Sequence, residues 1–256
     1  MPKEHKEYNC FEKSIVRTST NIFREDLNWV KFVKYISSHF MNKEKVNVYS
    51  LASSDGSEAY TFAISVMDNV KKNLQPKFFP IIASDIDEEI IKTAKSGRIN
   101  LLPLEFFFAE KTCGVNLSKY FEEKGVSLEI IGDNISDMDH ISSYKPIKSL
   151  KDSVEFKQSD ILTELKNIKD DGNSVIMIRN VFPYLNKEYT DEVITQANKS
   201  LKKGSLFVIG DYDEKKNIGE NLLKNGFFNP IINENNIFQR GSSREFTDLL
   251  NSGYLI

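Results

Sequence analysis

Asp55, Gly56 and Glu58 stand in one short stretch, Ser53-Ser54-Asp55-Gly56-Ser57-Glu58, and this is where the sequence is best equipped for chemistry. One glycine is too few for a dinucleotide fingerprint, which needs three so that backbone can approach a pyrophosphate. Two carboxylates would repel phosphate. A cofactor without phosphate and with a cationic end fits better, and S-adenosylmethionine, with its amino group and sulfonium, is such a molecule. The same residues serve equally well as a plain strand-to-helix turn with solvated acids.

Other polar groups recur at the ends of apolar runs. Asp85 and Asp87 follow Phe78–Ser84, where an acid can accept hydrogen bonds from both hydroxyls of a ribose. Asp87 also suits the N-cap of a helix bearing Ile90, Ile91 and Ala94, which Gly97 is placed to close. Ser159-Asp160-Ile161 ends the run at Val154, and Arg179-Asn180 ends Ser174–Ile178. Near the start, Thr18-Ser19-Thr20-Asn21 precedes Arg24. Those hydroxyls read as an N-cap and first turn, or as ligand contacts, and Arg24 alone reads as a surface charge.

The elements that must position these groups follow from periodicity. Val46, Val48 and Leu51 form a strand before the turn; Ala59, Phe62, Ala63, Val66, Met67 and Val70 recur at helical spacing after it. Phe23, Leu27, Val30 and Phe32-Val33 predict an earlier helix. Val193, Ile194, Ala197 and Leu201 predict a later one, stopped at Lys203-Gly204, before the strand Ser205–Gly210. Gly226–Ile232 and Ile237–Gln239 bracket a closing antiparallel hairpin. Residues 99–153 are too long for a simple crossover and read as a small inserted subdomain, with a helix at Leu117–Lys124. Residues 1–16 read as a tail, and 241–256 as a terminal helix or tail. Strands alternating with helices give an α/β fold. A mostly parallel, Rossmann-like sheet gathers its polar strand ends along one edge.

The totals narrow the class. At 256 residues, 40% hydrophobic and 28% charged, the chain is ordinary for a globular protein and can bury a sizeable core. A net charge of −3 argues against nucleic acid as partner. The polar start is not a signal peptide, and no apolar run is long enough for a membrane span. Two cysteines, Cys10 and Cys113, give no disulfide framework, which predicts a cytoplasmic location. His5, His39 and His140 have no metal-ligand spacing, so no metal is expected. Oligomeric state is not readable.

Four segments, in order, resemble the chemotaxis-receptor (CheR-type) methyltransferases. Thr18-Ser19-Thr20-Asn21-Ile22-Phe23-Arg24-Glu25 is similar to the family's T-N-x-T-x-F-F-R-E. Ala52–Tyr60 is similar to A-x-S-T-G-E-E-P-Y. Ala83-Ser84-Asp85-Ile86-Asp87 is identical to A-S-D-I-D, and Ala94–Gly97 resembles the A-R-x-G that follows. Arg179-Asn180-Val181 with Tyr184 is similar to R-N-V-x-x-Y-F. The resemblance spans about 17–240. It implies a Rossmann-like methyltransferase domain over 17–256, with a seven-stranded sheet, that uses S-adenosylmethionine to O-methylate a glutamate side chain of a protein. By the same resemblance, Thr18, Thr20 and Arg24 close over the cofactor, Glu58 faces its methionine end and Asp85 its ribose. Asp160 and Ile161 lie beside the adenine, Arg179 and Asn180 line the pocket floor, and Arg24 and Tyr184 stand at the methyl-transfer centre. The departures are Thr18 for asparagine, Ser57 and Ala59 for Glu and Pro, Asp160 for asparagine, and Gly210-Asp211-Tyr212-Asp213-Glu214 where the family has G-H-S-E. The family's N-terminal helical domain is expected to be missing. Another acceptor, an amine or small molecule, and a cofactor-binding regulator without turnover are the competing expectations.

Overall fold

The computed structural model describes residues 21–24, 26–101, 103–127, 141–230 and 235–241. Thr18, Thr20, the tail at 1–16 and residues 242–256 lie outside them. Two sheets carry the fold. The larger contains β1 (Asn47–Leu51), β2 (Ile81–Asp85), β6 (Val154–Gln158), β7 (Ser174–Met177), β8 (Leu206–Val208), β9 (Phe227–Phe228) and β10 (Ile237–Arg240). Their order is β6-β2-β1-β7-β8-β10-β9. The first five run parallel, and β10 is antiparallel to both β8 and β9. Within the described residues the closing antiparallel pair is as the sequence predicts; residues 231 and 232 of the expected Gly226–Ile232 strand lie outside them.

Side chains of a strand alternate between faces, and the central strands bury both. Val175, Met177, Leu206 and Val208 join one apolar cluster with α1 (Trp29–His39) and α2 (Ser57–Asn69). Ile176, Ile178, Phe207 and Ile209 join a second with α6 (Ile161–Asn167), α7 (Lys187–Ser200) and α8 (Ile218–Lys224). α3 (Glu88–Ser96) starts where the Asp87 carboxylate accepts hydrogen bonds from the N–H groups of Glu89 and Ile90. It ends at Gly97, with φ +71°. Both capping assignments made from the sequence hold.

The second sheet has the order β3-β5-β4, antiparallel, from β3 (Ile99–Leu101), β4 (Phe121–Ser127) and β5 (Ile141–Pro146). α4 (Pro103–Cys113) lies between β3 and β4, and α5 (Lys148–Lys151) leads back to the main sheet. The helix expected at Leu117–Lys124 is instead a 3-10 turn at Leu117–Lys119 followed by β4. Leu101, Ala109, Leu117 and Phe121 are buried in the same cluster as α1 and α2, so this region shares the main core. Among the described residues no helix is long and apolar enough to cross a membrane.

Candidate functional site

From β1 the chain passes to β2 and then β6 on one side, while β7 and β8 lie on the other. The strand order reverses between β1 and β7. In open α/β sheets the crevice outside the carboxyl ends of strands at such a point is the usual ligand site. The segments after β1 and β7 are Ala52–Gly56 and Ile178–Asn180.

The first turn is tightly made. Ala52, Ser54 and Gly56 have φ of +56°, +51° and +89°. A Cβ at Gly56 would lie 2.5 Å from the Phe156 ring, so only glycine fits there. Ser53 N–H donates to the Ser84 carbonyl at 2.8 Å, which ties the turn to β2. Asp85 completes the tie: its Oδ2 accepts from Ser54 N–H at 2.9 Å and its Oδ1 from Asp87 N–H at 3.0 Å. Each oxygen retains a lone pair for a further donor. The buried hydroxyls of Ser53 and Ser84 have no hydrogen-bond partner among the described residues, and neither has the buried Nε of Arg179. Unpartnered buried polar atoms are uncommon, and at strand ends they fit a polar ligand.

Arg179 is deeply buried, its side chain 3% exposed. Its Nη1 donates to Glu58 Oε2 at 3.1 Å, its Nη2 to Asp26 Oδ1, and its guanidinium lies 4.8 Å from the centroid of the Trp29 ring. Glu58 Oε1 accepts from the Ser50 hydroxyl at 2.7 Å. Burial raises the Glu58 pKa above the ordinary carboxylate value, against the opposing pull of Arg179 and Ser50. Two carboxylates thus face one guanidinium, and this floor attracts a cation rather than an anion.

Asn180, with φ +60°, spans the segments after β7 and β8. Its Nδ2 donates to Asp26 Oδ2 at 2.8 Å, and its Oδ1 accepts from Tyr212 N–H at 3.0 Å. Asp213 is fully buried and accepts from the N–H groups of Asn180 at 2.7 Å, Gly210 at 2.8 Å and Phe182 at 3.0 Å. Burial outweighs these bonds and raises its pKa to about 6. Asp26 and Asp213 organise the site although the sequence reading assigned them nothing.

Arg24 lines a cleft of about 420 Å³ with Asn21, Asp26, Glu105, Phe108 and Tyr212. Ile22 N–H donates to Glu105 Oε1 and Phe23 N–H to Thr61 Oγ1, both at 3.0 Å, so this segment is fastened to α4 and α2. Asp160 caps α6, its Oδ1 accepting from Leu162 N–H at 2.9 Å and Thr163 N–H at 3.1 Å, while Tyr189 donates its hydroxyl to Oδ2. Ile161 is buried in the second cluster. Tyr184, in a 3-10 turn after Asn180, is 73% exposed. The structure therefore links Arg179, Asn180 and Glu58 directly, and the Arg24 segment to them through Asp26. Asp85 stands at the neighbouring strand end, and Tyr184 faces solvent.

The sequence profile of the CheR methyltransferase, SAM binding domain, matches residues 18–224. The chain belongs to the CheR methyltransferase family. Its fold is that of an S-adenosylmethionine-dependent methyltransferase, and its cofactor is S-adenosylmethionine. A chemotaxis protein methyltransferase from Listeria monocytogenes is 22% identical over 82% of this CheR-family chain and 71% of that protein. One from Salmonella typhimurium is 24% identical over 83% and 66%. The chain thus spans about two thirds of the length of these relatives. Among solved structures, magnesium protoporphyrin IX methyltransferase from Synechocystis with bound SAM aligns with 78% of this chain and 70% of that one. The identity is 11% and the TM-score 0.36, too slight a likeness to carry detail.

Proposed function

We propose that this chain methylates a protein carboxylate, the side chain of a glutamate, at the crevice between β1 and β7. The observation that carries the reading is the placement of Asp85. Held by two backbone N–H groups beside the Gly56 turn, it presents a fixed carboxylate to a ribose. S-adenosylmethionine, when bound, supplies an electrophilic methyl group on a sulfonium. Glu58 serves the cationic methionine end from the acidic floor it shares with Asp26 and Arg179. Asp160 and Ile161 border the adenine, and Arg179 and Asn180 form the floor. Thr18 and Thr20, which precede Arg24 in the sequence, are assigned to the cofactor by the family resemblance alone.

Arg24 holds the acceptor carboxylate by charge-assisted hydrogen bonds, and Tyr184, exposed in the turn that follows Asn180, orients it. A carboxylate is ionised at neutral pH, so no strong general base is required. The residues' main task is alignment. The names of the relatives support a chemotaxis receptor as acceptor. The reading includes a cytoplasmic location, in keeping with a sequence that offers no disulfide framework.

Calorimetric titration with S-adenosylhomocysteine tests the pocket. Wild type binds in the micromolar range and Asp85→Ala weakens binding by about tenfold or more, roughly 1.4 kcal/mol. Labelled methyl transferred to protein should be released by base, as an ester is. Base-stable product overturns the carboxylate acceptor, and absence of binding overturns the pocket.

A further inference from the structure

The stretch Gly210–Glu214, which departs from the family pattern, carries Tyr212 at the mouth of the Arg24 cleft. The ring is half exposed and meets two cations: Arg24 Cζ lies 5.7 Å from its centroid and Lys215 Nζ 4.7 Å. Neither cation has a carboxylate partner among the described residues. The acids of the cleft are all engaged by donors. Asp26 accepts from Arg179 and Asn180, Asp211 Oδ1 from Asn236 Nδ2 at 2.6 Å, and Glu105 from Ile22 N–H. Arg179 is committed to Glu58 and Asp26 and is not available to an incoming anion. The backbone that carries the ring is fixed from behind, through Tyr212 N–H on Asn180 Oδ1 and through Asp213 on the backbone of Gly210 and Asn180.

We infer that Tyr212 and Lys215 are acceptor-positioning residues. The ring draws Lys215 towards Arg24, so that two cations, not one, meet an acceptor that carries a second acidic side chain near the methylated carboxylate. An aromatic face favours a cation electrostatically and holds it without neutralising it, which leaves the charge free to act on a ligand. The acceptor class is therefore an acidic peptide segment. This deepens the proposed function and rests on its carboxylate acceptor.

The test is binding of a fluorescein-labelled alternating Ala-Glu peptide and its Ala-Gln counterpart, by anisotropy, with S-adenosylhomocysteine present. Wild type is expected to prefer the Glu peptide by about tenfold at low salt, as paired charges on an exposed face would give. Lys215→Glu and Tyr212→Ala should reduce the preference to about twofold or less, while Tyr212→Phe keeps it because the ring face survives. A purely structural role for Tyr212 would not produce that charge-dependent split. All three variants should bind S-adenosylhomocysteine as wild type does, by separate calorimetric titration. An unaltered preference in Tyr212→Ala and Lys215→Glu, or none in wild type that binds the cofactor product, overturns the inference alone. Wild type that fails to bind the cofactor product overturns the pocket reading beneath it.

Discussion

Asp26 and Asn180 stand 154 residues apart in the chain, and a 2.8 Å hydrogen bond joins the Asn180 amide to the Asp26 carboxylate. The same carboxylate takes Arg179, and the Asp26 carbonyl accepts from Asn236 Nδ2 at 2.6 Å. One residue therefore fastens the segment bearing Arg24 to the ends of β7 and to the approach to β10.

Asp26→Asn should separate latch from fold. The substitution keeps the shape but removes the charge facing Arg179, which still retains Glu58. A charged hydrogen bond contributes about 1.5–3 kcal/mol, and that range is the expected loss in a urea titration. Methyl-transfer rate should fall by about tenfold or more, because Arg24 keeps its anchor at Ile22 and Phe23 but loses the one on its other side. A variant that loses stability but keeps its rate would show that the latch does not set Arg24.

Asp213 should make stability fall as pH rises. Its folded pKa of about 6 lies above the ordinary value of 3.8, so the folded chain holds this proton longer than the unfolded chain. The favourable contribution is whole below about pH 4 and is lost as pH rises through 6, by about 3 kcal/mol. Glu58, also raised by burial, acts in the same direction. Urea titrations between pH 4 and 7 should show this slope in wild type and a flatter one in Asp213→Asn. Equal slopes would remove Asp213 as its source.

Gly56→Ala tests the turn after β1, which the proposed function gives to the cofactor. The new Cβ meets the Phe156 ring at 2.5 Å in a backbone held at φ +89°. The conformational cost alone is about 1–2 kcal/mol. Melting temperature and S-adenosylhomocysteine affinity should both drop. Adding Phe156→Leu should recover part of the stability, since it relieves the contact and not the backbone strain. Full recovery would show that the backbone conformation matters little.

Much of this fold was legible because its signals are local. The change from alternating to helical spacing across Val46–Val70 marks β1, its turn and α2, and Asp87 and Gly97 mark the two ends of α3. The error at Leu117–Lys124 has a local cause too. Leu117 and Tyr120 stand one helical turn apart, yet Phe121 pairs with Pro146, and Glu122, Glu123 and Lys124 are all exposed, so this strand has no alternation to read. Asp160 directly before Ile161-Leu162 was a readable N-cap signal, whereas only the resemblance suggested adenine. Asp26 and Asp213 were beyond reach. Each looks like an ordinary turn acid, and the groups that give it meaning come from strand ends far along the chain.

Ile22 and Phe23 are 2% and 3% exposed, and their N–H groups are bonded to Glu105 and Thr61. The residues next to Arg24 are thus part of the hydrophobic interior. Withdrawing two such side chains costs about 1.5–3 kcal/mol each, which keeps a detached form of this segment below about one molecule in a hundred. Arg24 therefore rides on a fixed wall rather than a swinging gate. On the proposed reading, acceptor and product would pass the mouth beside Tyr212, and turnover would proceed without the interior being opened and rebuilt in each cycle.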